Sequence, residues 1–243
     1  MSILREQSLN ISLKLRQFLP AQPCLLCGSL SNDGLWCGEC DADLPYLRPG
    51  QHCPQCALPS PLGALCGQCL QHPPPFDASR AVFAYHFPLD KLIQQLKYAE
   101  ELPLAHALAE RLAQRVADSP RPDYLIPMPL HPARLRERGY NQSLLLARHL
   151  GHWLSVPVLP TACSRILNTP SQTSLPREER LKNVRGAFQC HVDLRDKFVV
   201  LVDDVLTTGA SLGALAQVVR AHGASRVEGW VVARSMAQSP SKV

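Results

Sequence analysis

Apolar positions along this chain recur with two periods, and stretches of each period alternate. The densest block is residues 198–202 (FVVLV), an unbroken apolar run that predicts a parallel strand buried on both faces. That strand is expected to stop at two carboxylates, Asp203 and Asp204. Beyond a short hydroxyl-rich loop, Leu212, Leu215, Val218 and Val219 recur at helical spacing, and residues 226–233 (RVEGWVVA) predict a final strand before a frayed tail. Upstream, residues 80–87 alternate as a strand that Pro88 ends. Residues 89–99 and 103–118 follow as helices, the second carrying Leu104, Leu108, Leu112 and Val116 on one face. Residues 123–129 predict a short strand, residues 141–153 a helix with Leu144, Leu145, Ala147 and Leu150 apolar, and residues 162–167 another strand. The alternation implies an α/β fold with a mainly parallel sheet and helices on both faces.

Two stretches have no such period. Residues 168–188 (NTPSQTSLPREERLKNVRGAF) are polar and hold two prolines, and a loop of that length inside a domain is expected to be a mobile lid or an insertion. The other is the N-terminal third. A short amphipathic helix is expected near the start, without the uninterrupted apolar region of a signal peptide. No window approaches the ~18 apolar residues of a membrane span, and the chain is expected to be cytoplasmic. A proline-stiffened linker, QHPPPF at residues 71–76, places the expected boundary between a module at 1–75 and a domain at 76–243.

Eight of the ten cysteines fall in four CxxC pairs, arranged as CLLCGSLSNDGLWCGEC and CPQCALPSPLGALCGQC. The second block repeats the first at an offset of 29 residues. Paired CxxC turns supply the four thiolates that Zn²⁺ prefers, and fixed repetition argues for structural metal over redox dithiols. The expected ligands are Cys24, Cys27, Cys37, Cys40, Cys53, Cys56, Cys66 and Cys69, grouped by block or interleaved. Cys163 and Cys190 stand alone and are expected to be buried apolar residues.

The net charge of +5 is unevenly spread. Residues 121–195 hold eleven Lys or Arg against five Asp or Glu, which suits an anionic ligand or nucleic acid. Three of those cations, Arg134, Arg136 and Arg138, cluster in an expected loop closed by Gly139. Lys97 can reach a phosphate by length, though a helix lysine is more often solvated. After Asp203 and Asp204, the residues Leu206, Thr207, Thr208, Gly209, Ala210 and Ser211 form a strand-to-helix loop able to hold a phosphate on backbone N–H groups. The adjacent acids suit vicinal ribose hydroxyls, directly or through Mg²⁺. The run VVLVDDVLTTGAS resembles the 5-phosphoribosyl-1-pyrophosphate (PRPP) motif of type I phosphoribosyltransferases.

Together with PMPLHPARLRERGYNQ, TPSQTSLPREERLKNVRGAF and the CxxC blocks, it resembles the ComF family over roughly residues 20–234. The resemblance implies a type I phosphoribosyltransferase-like domain behind an N-terminal zinc finger, linked to DNA uptake in natural transformation. It implies that Asp203 and Asp204 meet the ribose and are catalytic, that residues 206–211 wrap the 5-phosphate, and that Arg134 and Arg138 hold pyrophosphate. Gln172 and Thr173 would belong to the lid. The expected partners are Mg²⁺-PRPP, single-stranded DNA and DNA-uptake or recombination proteins. A non-catalytic nucleic-acid-binding protein that keeps the fold as sensor or scaffold is the alternative, and no acceptor is legible.

Overall fold

The computed structural model describes residues 22–31, 34–98, 102–168, 184 and 186–236. The chain divides into two compact units, Met1–Leu44 and Pro45–Val243. In the first, β1 (Gln22–Pro23) pairs antiparallel with β2 (Leu30–Ser31), so the Cys24 to Cys27 turn lies within a hairpin. Helix α1 (Gly38–Ala42) follows and is capped by Cys37, whose sulfur accepts the Cys40 N–H. The expected N-terminal helix lies outside the described residues.

The second unit opens with the second cysteine block, which contains a turn of 3₁₀ helix (Pro61–Gly63) and α2 (Gly67–Gln71). The sheet then begins with β3 (Ala78–Ala84), followed by α3 (Leu89–Tyr98), α4 (Leu102–Arg115), β4 (Tyr124–Pro127), α5 (Pro132–Arg138) and α6 (Gln142–Leu154). A small antiparallel pair, β5 (Cys163–Arg165) and β6 (Phe188–Cys190), precedes β7 (Phe198–Leu206), α7 (Ala210–Ala221) and β8 (Arg226–Arg234).

The main sheet has the order β3-β8-β7-β4, and all its pairings are parallel. Val199, Val200, Leu201 and Val202 in β7 are fully buried, as the unbroken apolar run predicts. Helix α4 buries Leu104, Leu108 and Leu112, and Val116 just past its end completes the buried stripe read from their spacing. Helix α7 lies so close to β8 that a Cβ at Gly229 would come within 2.3 Å of Leu212. Only glycine leaves room there. The proline-rich stretch at residues 71–76, inside the larger unit, is tied to the same helix. A Cβ on Gly213 would meet Pro75 at 3.2 Å, and Arg220 donates to the Pro75 carbonyl at 3.4 Å and pairs with Asp77 at 2.5 Å.

Three expectations change. Strand β7 does not stop at the acids: Asp203, Val205 and Leu206 still pair with Val231, Ala233 and Arg234 of β8, because β8 is long enough to carry the ladder on. The cationic loop is helix α5, started by His131, whose Nδ1 accepts the Ala133 N–H, and stopped by left-handed Gly139 at φ 77°. In α6 the buried face starts with Gln142 and Ser143 and continues through Leu146, Ala147 and Leu150, leaving Leu144 and Leu145 half-buried.

Candidate functional site

At the carboxyl end of a parallel strand, side chains of the strand, the following loop and the next helix converge. Successive strand residues face opposite ways, so Asp203 and Asp204 have different neighbours. Asp203 Oδ1 accepts from Ser143 Oγ at 2.9 Å and from the Asp204 N–H at 2.9 Å. Asp204 is buried, and its Oδ2 meets Lys97 Nζ at 2.8 Å and Gln142 Nε2 at 3.3 Å. Gln142 in turn accepts from Arg138 Nη1 at 3.2 Å. Arg138 also donates to Tyr98 Oη at 3.4 Å and lies 5.1 Å from that ring's centre. The ends of α3 and α5 and the start of α6 are thereby gathered onto the two acids.

Burial of its carboxyl, then the charge of Asp204, pushes Asp203 up to about 7, against the lowering effect of the Ser143 hydroxyl, the Asp204 N–H and Lys97. Burial alone would pull Lys97 down, but the facing Asp204 and Asp203 carboxylates win, and its ammonium is held above the usual lysine range. Lys97 is therefore a cation of the site, not a solvated helix residue.

These groups border a cavity of about 280 Å³ shared by Lys97, Arg134, Arg138, Arg165, Asp203, Asp204 and all of residues 206–211. That volume is at the lower edge of the ~300–1,000 Å³ usual for ligand pockets. Gly209 caps α7 with φ 82°, and Ala210 N–H donates to Thr208 Oγ1 at 3.4 Å. The first-turn amides of α7 start from a residue with no side chain to cover them. Arg134 reaches the cavity while pairing with Glu137 at 3.6 Å.

Sequence reading missed Gln142, Ser143 and Arg165. The first two left a faint signal, as polar residues just behind the helix cap Asn141, whose Oδ1 accepts from Ser143 N–H at 2.9 Å. Arg165, on the three-residue strand β5 and 5.6 Å from the Phe188 ring centre, left none. Gln172 and Thr173 lie outside the described residues.

The cysteines group by block, Cys24, Cys27, Cys37 and Cys40 in one cluster and Cys53, Cys56, Cys66 and Cys69 in the other, with all sulfurs of each within 4.8 Å of one another. Zn–S bonds of ~2.3 Å at tetrahedral angles would put sulfurs about 3.8 Å apart. Cys27 and Cys37 are 3.8 Å apart, and Cys56 and Cys66 are 3.6 Å apart. The donor set fits zinc in both. Equivalent N–H groups point at equivalent sulfurs, Cys37 to Cys24 at 3.3 Å and Cys66 to Cys53 at 3.4 Å. Burial raises those two accepting thiols, yet the backbone N–H groups around them outweigh it, bringing Cys24 down to about 6 and Cys53 to about 7.

Residues 15–70 match the double zinc ribbon domain family. The chain is 37% identical over 174 residues to a Salmonella typhi protein named DNA utilization protein YhgH, covering 69% of this chain and 77% of that one. It is 32% identical over 209 residues to competence protein F of Haemophilus influenzae, covering 82% and 85%. Similar solved structures include a purine phosphoribosyltransferase from Pyrococcus horikoshii, with 23% identity and a TM-score of 0.36 over 56% of this chain and 77% of that one. Among the described residues, no helix is long and apolar enough to cross a membrane.

Proposed function

Because the chain belongs to the ComF family, we propose that it binds Mg²⁺-PRPP at the end of β7 and acts in the handling of single-stranded DNA. One observation carries the reading: the acids and loop of residues 203–211 line one cavity with Arg134, Arg138 and Arg165, which lie elsewhere in the sequence. In this reading the 5-phosphate sits on the loop amides and the hydroxyls of Thr207, Thr208 and Ser211. Asp203 and Asp204 receive the ribose hydroxyls, and Arg134, Arg138 and Arg165 face the pyrophosphate. Mg²⁺, when bound with the ligand, supplies charge neutralisation at the pyrophosphate oxygens. Cleavage at C1 builds positive character on the ribose and negative charge on the leaving pyrophosphate. The acids favour the first and the arginines the second. Ser143 and Lys97 set the orientation and charge of the acids.

Calorimetric titration with PRPP and Mg²⁺ tests this. Asp203→Asn or Asp204→Asn is expected to weaken binding at least several-fold, since a hydrogen bond to a charged acceptor contributes about 1.5–3 kcal/mol. Unchanged affinity in the double variant removes the assignment.

A second reading, nucleic-acid binding without catalysis, is favoured by the occupancy of Asp204, which already carries Lys97 and Gln142. The names of these relatives, which concern DNA utilization and competence, support a DNA role in either reading. The logarithm of the affinity for a labelled oligonucleotide, read by anisotropy across a salt series, is expected to fall against the logarithm of salt concentration with a slope of about −0.7 per phosphate contacted. Competition by PRPP puts both ligands at the arginines, whereas turnover of PRPP with any acceptor excludes the second reading.

A further inference from the structure

The geometry points to Arg234 as a positioning residue through which the second cysteine cluster sets the shape of the phosphate loop. This rests on the assignment of residues 206–211 as an anion site. Arg234 is the last residue of β8 and is 5% exposed. Its Nε donates to the Cys56 carbonyl at 2.7 Å. Its Nη1 donates to the carbonyls of Leu206 at 2.8 Å, Ser235 at 2.7 Å and Thr207. A single rigid guanidinium thus joins the turn that carries a zinc-ligand cysteine to the first two peptide units of the loop.

The consequence follows from peptide geometry. In a trans peptide the C=O of one residue and the N–H of the next point in opposite directions. Holding the Leu206 and Thr207 carbonyls toward Arg234 turns the N–H groups of Thr207 and Thr208 away from it. Arg234 borders a second cavity, of about 460 Å³, while Thr207 borders the first. The amides are accordingly turned toward the anion side. Thr208, Gly209 and Ala210 border both cavities, so this part of the loop is a thin wall with space behind it. The Leu206 carbonyl is also held by the Ser235 N–H at 2.9 Å, so it is the Thr207 peptide that depends on the Arg234 tether. Metal at Cys53, Cys56, Cys66 and Cys69 would fix the Cys56 turn and hence the Nε end of the tether. Loss of the metal would release it.

The test combines amide hydrogen exchange with calorimetry, using ribose 5-phosphate and pyrophosphate as separate probes. In Arg234→Gln, exchange at residues 206–209 is expected to speed up about tenfold or more, and ribose 5-phosphate affinity to fall about tenfold. Pyrophosphate affinity is expected to hold, because the arginines that face it are elsewhere. Arg234→Lys, which keeps charge but loses the fork, is expected to fall between. Cys66→Ser, or graded chelation of the unaltered protein if that variant does not fold, is expected to speed exchange at residues 206–209 as well as at 53–58. Cys27→Ser measures the effect of losing a zinc as such. Unchanged exchange at residues 206–209 when the second zinc is lost overturns the inference, as does equal weakening of both anions in Arg234→Gln. If the unaltered protein binds no ribose 5-phosphate while the exchange coupling is present, the tether stands and the PRPP reading falls.

Discussion

The two cysteine blocks are copies in sequence and near-copies in local geometry, yet one belongs to the small unit and the other to the unit that carries the sheet. Both keep what a metal requires. Cys24 and Cys53 donate their N–H groups to Ser29 and Leu58, and the N–H groups of Gly28 and Ala57 return to Cys24 and Cys53. They differ where neighbours make demands. Leu25 donates its N–H to Leu35, whereas its counterpart Pro54 has no N–H and instead accepts from Ser79 of β3 at 3.0 Å. Leu26 corresponds to Gln55, which donates to the Phe76 carbonyl at 3.2 Å. Cys27 is exposed, whereas Cys53, Cys56 and Cys69 are buried. The two copies share the sulfur geometry, and the second is the one bonded to the sheet unit around it.

Zinc removal breaks the comparison most strongly. Two zinc ions per chain are expected, with the exposed Cys27 cluster losing its metal first to a chelator. Loss of the second is expected to lower the stability of the sheet unit by a substantial part of the about 10–16 kcal/mol apparent binding free energy of structural zinc. Zinc release followed alongside scanning calorimetry measures both. A transition of the larger unit that ignores the second zinc would show that the two copies are energetically alike.

Asp203 tests the sheet's side of the comparison. Its folded value of about 7 exceeds the ordinary 3.8, so the folded state holds a proton that the unfolded state has released. Its contribution to stability is present below about pH 4 and is lost as pH rises through about 7. Asp203→Asn removes that loss, so its melting temperature relative to the unaltered protein is expected to rise between pH 4 and 8, while PRPP affinity falls. A difference flat with pH would show that the carboxyl titrates normally.

Smaller effects come from exchanging residues between the copies. Gln55→Leu, which converts the second copy toward the first, is expected to cost about 0.5–1.5 kcal/mol in chemical unfolding by loss of its bond to Phe76. At the next difference, Gly28 has φ 76° and Ala57 has φ 56°. An L side chain in this left-handed region costs about 1–2 kcal/mol before local compensation. Gly28→Ala is expected to destabilise by about 1 kcal/mol, and Ala57→Gly to gain at most about that much, less the packing of a buried methyl group. Equal and null effects would mean that the turns do not share the strain.

Legibility in the sequence followed the range of the interaction. The strand at residues 198–202 was readable because five consecutive apolar residues have few alternatives to burial on two faces. Helix α4 was readable because its stripe runs for four turns. Helix α5 was not, since seven residues show no period, and its caps His131 and Gly139 resemble ordinary turn residues. Nor was the buried face of α6, because periodicity scores polarity and cannot see that Gln142 and Ser143 find Asp204 and Asp203 across the fold. The loop and acids of the candidate site were legible as a motif. Their partners Lys97 and Arg165 were not legible as such, since a lone cation in a helix or a short strand looks the same whether it faces water or a carboxylate.

By itself, then, the sequence determined the sulfur chemistry, the alternation of strands and helices, and the loop that follows β7, all of which depend on residues within a few positions of one another. The tertiary structure decided that the cysteines group by block, that Lys97 faces Asp204, and that Arg234 meets a carbonyl 178 residues away. The reason is physical. Local spacing constrains which way neighbouring side chains point, but a pair far apart in the chain meets only after β3, β8, β7 and β4 have taken their order in the sheet.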